Sequence, residues 1–331
     1  MIVTIKDIAI ALDVTSATVS RALNGKAGVS EKLRRQIVDT AQALGYQPNA
    51  IAQGLVKKST NTIGLIIPDI TNPYYPMIAR SIEEAAREQN YQLFLGNSNW
   101  EKSRENDLIR TMISNRVGGI IIDPATTDIG HILNSGIPTV FLANESKNDA
   151  VSYVGIDNVA CGFKGIQHLY NKGYRRIAYI GGTENSFSNK ERIKGYRNGL
   201  NTCGLPIAEE LIQSGEFTTE WGQQAAAALI KSVQPPDAYL TGNDLIAYGV
   251  LNALSEKGIS VPEQVGVLGI DDIPTSALPQ ISLSSMGISR QNIGKKAFHQ
   301  LQKLMKDMGV HEKHLMKPII VERDTTNRKS L

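Results

Sequence analysis

The sequence predicts an α/β protein: an all-α helix-turn-helix headpiece at the N-terminus, then a core of two doubly wound parallel-sheet subdomains. Three observations carry this. The first 45 residues show helical apolar spacing and no strand pattern. From Thr62 onward, short continuous apolar runs alternate with amphipathic stretches. Between them KKSTNT (57–62) is polar and patternless, as a linker is.

In the headpiece, Thr4 can cap a first helix with Asp7 three residues on, and Ile5, Ile8, Ala9 and Leu12 form its apolar stripe. Asp13-Val14 makes the turn. Thr15 or Ser16 caps a second helix with Val19 and Leu23 inward, and Gly25 and Gly28 break it. Ser30 opens a third helix with Leu33, Ile37, Ala41 and Leu44 at helical spacing; Gly45 stops it and Pro48 prevents continuation. Residues 49–55 (NAIAQGL) could make one or two helical turns, too few to be stable alone, and Gly54 weakens them further.

In the core, strands are expected at 63–68, 91–96, 118–123, 138–143, 176–182, 237–242 and 265–270, with a strand-like ISLSSMGI after them. Helices are expected near 75–89, 103–115, 159–172, 189–202, 220–232, 244–257 and 290–307. Continuous apolar strands joined by helical crossovers mean parallel sheets covered on both faces.

Net charge is +3, and its distribution is more telling than its size. Residues 1–58 hold eight Lys/Arg against four Asp/Glu; the rest of the chain holds 27 against 28. The positive charge therefore lies in the headpiece, as in a nucleic-acid-binding domain on a neutral body. A helix-turn-helix lays its second helix in the major groove. Ser16, Ala17 and Arg21 would then face the bases, Arg21 with the bidentate geometry that suits guanine. Thr4, Thr18 and the basic residues of the third helix would hold phosphates.

Other classes find little support. Cys161 and Cys203 form no CxxC pair, the five histidines form no ligand cluster, and no metal or cofactor is expected. No GxGxxG follows the first strand, and neither GxxxxGK[ST] nor GxSxG occurs, so an enzyme is not expected. No apolar stretch is long enough to span a membrane and the N-terminus lacks a signal-peptide pattern, so a cytoplasmic location is expected. Asp271-Asp272 could be read as paired catalytic carboxylates, or as one ligand-bonding Asp beside a structural neighbour.

The segments VTIKDIAIALDVTSATVSRALN and LGYQPNAIAQGL resemble the headpiece of the LacI/GalR family of bacterial repressors, with Thr15 where the family usually has Ser. The resemblance continues through TIGLIIPDITNPYY, TGNDLIAYG and GIDDIP and covers essentially the whole chain. It implies a repressor that binds a palindromic operator as a homodimer, with a periplasmic-binding-protein-like core that senses a small molecule. Headpiece and hinge helix (49–55) would occupy 1–58, and the core 61–331. One subdomain would span about 61–159 and 289–320, the other about 160–288 and 321–331. Asn24, Asn49 and Ala52 would join the DNA-binding set, and Leu55 would wedge into the minor groove.

Ligands of such cores bind at the carboxyl ends of the strands, between the sheets. Asn72, with Tyr74 or Tyr75, fits that place after the first strand, though Asn-Pro is also ordinary turn chemistry. The resemblance adds Arg192, Asn243, Asp271 and Phe217. Arg192 could equally be a solvated helix residue, and Phe217 core packing. Ala143-Asn144 stands where relatives often carry Asp, which removes a usual polar contact. The polar set suits a sugar, a pentose such as ribose first; a purine or phosphorylated effector is the other reading. A solute-binding protein of a transporter would share the core but not the headpiece.

Overall fold

A computed structural model describes residues 3–46, 61–142, 151–287 and 290–328. The chain divides into two compact units, Met1–Thr60 and Asn61–Leu331. The expected hinge helix 49–55, with Asn49, Ala52 and Leu55, lies outside the described residues, as does Ala143-Asn144.

The first unit holds three helices: α1 (Ile5–Ala11), α2 (Ser16–Leu23) and α3 (Glu31–Ala43). Each begins at the residue type its orphan N–H groups require. The Thr4 N–H donates to Asp7 Oδ2 at 2.8 Å, the Thr18 N–H to Thr15 Oγ1 at 3.1 Å, and the Leu33 N–H to Ser30 Oγ at 3.4 Å. Thr15 rather than Ser16 is therefore the cap of α2. Ile8, Ala9, Val19, Ala22, Ile37 and Ala41 form the buried centre, with Leu23 only half-buried against it. Leu44, expected on the inner stripe of α3, is exposed, because α3 ends at Ala43 and the chain leaves the helical path there.

The second unit begins with β1 (Thr62–Ile67), α4 (Tyr74–Arg87), β2 (Gln92–Asn97), α5 (Lys102–Ser114), β3 (Ile120–Ile122), α6 (Gly130–Leu133), β4 (Thr139–Phe141) and β5 (Ser152–Ile156). It continues with α7 (Asn158–Asn171), β6 (Ile177–Gly181), α8 (Phe187–Thr202), β7 (Ile212–Ser214), α9 (Thr219–Ile230), β8 (Ala238–Thr241), α10 (Asp244–Glu256), β9 (Gly266–Ile270) and β10 (Ser284–Gly287). It closes with α11 (Arg290–Lys306), β11 (Lys313–Met316) and β12 (Ile319–Val321).

Two six-stranded sheets result, ordered β11-β5-β4-β3-β1-β2 and β12-β10-β9-β8-β6-β7. All pairings are parallel except β12 with β10. Alternate residues of one strand serve opposite faces: Ile63, Leu65 and Ile67 of β1 pack beneath α4 and α11, while Ile66 joins Ile109 and Met112 of α5 on the other side. The second sheet is covered likewise, Tyr239 lying toward α9 and α10, and Ala238 and Leu240 toward α7 and α8.

The first sheet draws its strands from 62–156 and 313–316, the second from 177–287 and 319–321. Ile319 and Ile320 pair with Gly287 and Met286, so the second sheet resumes at 319 and not at 321. Lys317-Pro318 makes that crossing, and Lys164 Nζ holds the Pro318 carbonyl at 3.0 Å.

Candidate DNA-reading face and effector cleft

On the headpiece, burial of Val19 and Ala22 turns the opposite side of α2 outward. Ser16 and Ala17 in its first turn and Arg21 one turn later are exposed, as are Thr4 and Asn24, while Thr18 is half-buried. Asn24 also serves the helix itself, since its Nδ2 donates to the Ser20 carbonyl at 2.8 Å and helps finish α2. Arg34 corrects an expectation for α3. Its guanidinium donates to the carbonyls of Ala22 and Lys26, each at 2.7 Å, closing the end of α2 instead of facing outward. Lys32 and Arg35 remain exposed.

In the second unit one cavity, of about 40 Å³, lies at the carboxyl ends of the parallel strands of both sheets. The structure brings all seven residues picked out from the sequence into its wall: Asn72, Tyr74, Tyr75, Arg192, Phe217, Asn243 and Asp271. Trp100, Asp123, Leu142, Ile156, Asn158 and Ser188 complete it and were not anticipated. Asp123 carries a signal, being the first polar residue beyond the apolar run 118–122, whereas Asn158 follows a strand that the sequence does not mark and Ser188 lies in the first turn of α8. Trp100 has no such signal, since it reaches the cleft from the turn after β2.

The wall is pre-arranged by hydrogen bonds. The Tyr75 hydroxyl donates to Asp123 Oδ2 at 2.9 Å. Glu105, fully buried on α5, accepts the Ala125 N–H at 2.7 Å and lies 2.7 Å from His131 Nε2, which fastens the loop that follows Asp123. Arg192 is in the second turn of α8, not at its start and not in solvent: Nε donates to Asn158 Oδ1 at 2.9 Å and Nη1 to the Gly242 carbonyl. Asn72 and Asn243 spend their carbonyl oxygens on backbone. Asn72 Oδ1 accepts the Tyr74 N–H at 3.0 Å, and Asn243 Oδ1 caps α10 through the Ile246 N–H at 2.9 Å. Helix starts require such acceptors, so each Asn has less to offer a ligand than its place in the sequence suggests.

Asp271 stands at the end of β9 with φ of 112°, a left-handed conformation that L-residues rarely adopt. Its N–H donates to the Met286 carbonyl at 2.8 Å. Asp244 steadies the neighbouring loop by accepting the Ile273 N–H at 2.9 Å and the Ser276 hydroxyl at 2.6 Å. Asp272 is turned away and pairs with Arg323 at 2.6 Å. The two aspartates are thus one cleft residue and one structural neighbour. Phe217 is half-buried against the core of the second sheet and lines the cleft as well.

Electrostatically the cleft is close to balanced. Burial alone disfavours the Arg192 cation, but Asp271, with Cys161, Tyr179 and Tyr74, outweighs it and holds the guanidinium firmly protonated. Burial, reinforced by Glu105 and opposed by the Tyr75 hydroxyl, pushes the Asp123 carboxyl up to about 7. Burial also raises Tyr74, helped by Asp271 and Asp123. Among the described residues no group of His, Cys, Asp and Glu could hold a metal ion, and no helix is long and apolar enough to cross a membrane.

Residues 4–49 match the family described as bacterial regulatory proteins, lacI family, and residues 60–324 match periplasmic binding proteins and sugar binding domain of LacI family. The chain is 34% identical to catabolite control protein A of Priestia megaterium, over 92% of this chain and 93% of that one. It is 30% identical to the HTH-type transcriptional repressor CytR of Escherichia coli K12, over 89% and 87%. Among solved structures, a lac repressor dimer bound to operator and the anti-inducer ONPF superposes with a TM-score of 0.89 at 24% identity, covering 98% and 99% of the two chains. A complex of the transcriptional regulator CelR with cellobiose does so with a TM-score of 0.75 at 26% identity, covering 98% and 99%.

Proposed function

Since the chain belongs to the lacI family of bacterial regulatory proteins and is a transcriptional regulator, we propose that it represses transcription as a homodimer on a palindromic operator, under control of a neutral, hydroxyl-rich effector. That effector is a sugar bound between the two sheets. Twofold symmetry in the protein would match twofold symmetry in the DNA.

The composition of the cleft wall carries the sugar reading. Among the described residues, two carboxyls, Asp123 and Asp271, face one cation, Arg192, whose Nε and Nη1 already bond Asn158 and Gly242, and no lysine lines the cavity. A phosphate dianion would meet the Asp271 carboxylate and a partly ionised Asp123 with one partly engaged guanidinium to offset them. Sugar hydroxyls, by contrast, both donate and accept, and so suit Asp, Asn, Ser and Arg together. Tyr74, Trp100 and Phe217 supply apolar faces for a ring. The complex of the similar regulator CelR with cellobiose supports the same ligand class.

A thermal-shift screen against neutral mono- and disaccharides, sugar phosphates and purines tests the reading. A ligand at a hundred times its dissociation constant adds roughly 2.7 kcal/mol. The expected result is stabilisation by a neutral sugar and none by its phosphate. Stabilisation by sugar phosphates or purines alone would overturn it.

A further inference from the structure

Trp100 is held firmly for a residue on a turn. Asn99 and Trp100 both have left-handed backbone, with φ of 54° and 60°. That conformation is uncommon for a bulky side chain and persists where its surroundings enforce it. They do so here. Asn97 Nδ2 donates to Asn99 Oδ1 at 2.6 Å, while Asn97 Oδ1 accepts the Ile70 N–H at 3.0 Å, tying the turn to the loop after β1. The Ser98 N–H donates to the Ile67 carbonyl at 2.9 Å.

The turn thereby sends the indole across the cleft. It stacks on Phe217, which belongs to the other sheet's half, with ring centroids 5.8 Å apart and planes 18° apart. Phe217 has little room to retreat, since a Cβ on Gly182 would lie 2.2 Å from its ring. Trp100, Asp123 and Ser188 also line a second small cavity, with Pro124, Thr126, Ser186 and Phe187, so the indole is part of the partition between that cavity and the cleft. At about 40 Å³ the cleft cavity has room for only a few waters. A ring-sized ligand enters only if the partition moves.

We infer that the Trp100–Phe217 stack is a latch, one ring from each half of the core, which holds the cleft closed. The effector must then displace the indole from the face of Phe217. Its apparent affinity is lowered by the fraction of molecules held shut. The displacement rests on the cleft being the effector site; the latch itself does not, and its test needs no effector.

Thr127 and Asn185 are exposed and adjoin in sequence Thr126 and Ser186, which line the second small cavity from opposite halves. Spin labels on Thr127→Cys and Asn185→Cys report the gap in the full-length chain, with Cys203→Ser, the buried Cys161 left in place, and labelled chain diluted in unlabelled. One short-distance population is expected in this parent. Trp100→Ala should add a longer population, and Trp100→Phe should restore the short one. A second measurement uses Trp221→Phe, which leaves Trp100 as the only tryptophan of the two in the chain. Adding Phe217→Ala should raise acrylamide quenching of Trp100 at least about twofold. Superimposable distance distributions in Trp100→Ala and the parent, or quenching unchanged by Phe217→Ala, would overturn the latch. A latch that passes both tests in a protein that no sugar stabilises would leave the latch standing and remove the sugar reading.

Discussion

Two residues show how one side chain can be read at two levels. Arg21 is exposed on α2, opposite buried Val19 and Ala22, and Ser16 and Ala17 share its face. A guanidinium there can bond guanine O6 and N7 at once. Arg21→Ala should weaken binding to the cognate operator by about 1–3 kcal/mol and binding to random DNA far less; a gel-shift titration on both DNAs measures this. Equal losses would reduce Arg21 to a phosphate contact. Asp123 is the second case. Its carboxyl is pushed up to about 7, chiefly by burial, while in the unfolded chain it titrates near 3.9. Between about pH 4 and 7 the folded chain keeps a proton that the unfolded chain has released, so stability falls as pH rises through that window. Asp244, buried and pushed up to about 6, acts in the same direction. Asp123→Asn keeps an oxygen for the Tyr75 hydroxyl and removes the titration. It should be more stable than the parent at pH 8, by a few kcal/mol at most given roughly 1.4 kcal/mol per pKa unit, and should show little advantage at pH 4. Denaturant unfolding at the two pH values decides it; parallel losses in parent and variant would refute it.

Among the elements, α7 and α8 pack backbone against backbone. A Cβ on Gly195 would lie 2.0 Å from the Val159 carbonyl oxygen, and one on Gly162 would lie 2.1 Å from the Arg192 carbonyl oxygen. These are backbone contacts that no rotamer change can relieve. They also bring α8 close enough for Arg192 to reach Asn158 at the start of α7. Gly195→Ala should therefore cost at least about 1–3 kcal/mol, the usual range for overpacking, read as a lowered urea midpoint. A midpoint equal to the parent's would mean that the helices can separate without loss. The same spacing recurs in the other pair over the second sheet, where a Cβ on Gly222 of α9 would lie 2.2 Å from the Ile246 carbonyl oxygen. Periodicity alone shows these glycines as weak points in helices; only the packing shows why an alanine cannot replace them.

At the scale of the whole chain, each unit has its own buried core, one built around Ile8, Val19 and Ile37, the other around two covered sheets. Residues 61–331 should accordingly fold alone, keep the thermal shift with any effector, and lose DNA affinity. Gel shift and thermal denaturation of that fragment test this; operator binding by the fragment would contradict the placement of the DNA-reading face. The headpiece core is small, and domains of this size are marginal.

The order of elements was legible because it depends on local physics. Apolar runs such as IGLIIP and VGVLGI can only be buried strands, amphipathic spacing marks the helices between them, and Thr4, Thr15 and Ser30 announce helix starts. The strands without a clear sequence signal, β5, β7, β11 and β12, are short, and of these β7, β11 and β12 lie at sheet edges where half-exposure blurs the apolar pattern. The rule that ligands gather at strand ends pointed to Asn72, Tyr74 and Tyr75, the family resemblance added Arg192, Phe217, Asn243 and Asp271, and the seven share one cavity. What each side chain does there was decided by the tertiary structure. Asn243 caps a helix, Asn72 closes a turn onto the Tyr74 N–H, Asp272 pairs with Arg323, and Trp100 meets Phe217, 117 positions on in the chain. The reason is physical: burial and periodicity follow from neighbours within a few residues, whereas the partner of a polar or aromatic side chain is set by which loops the two sheets bring together.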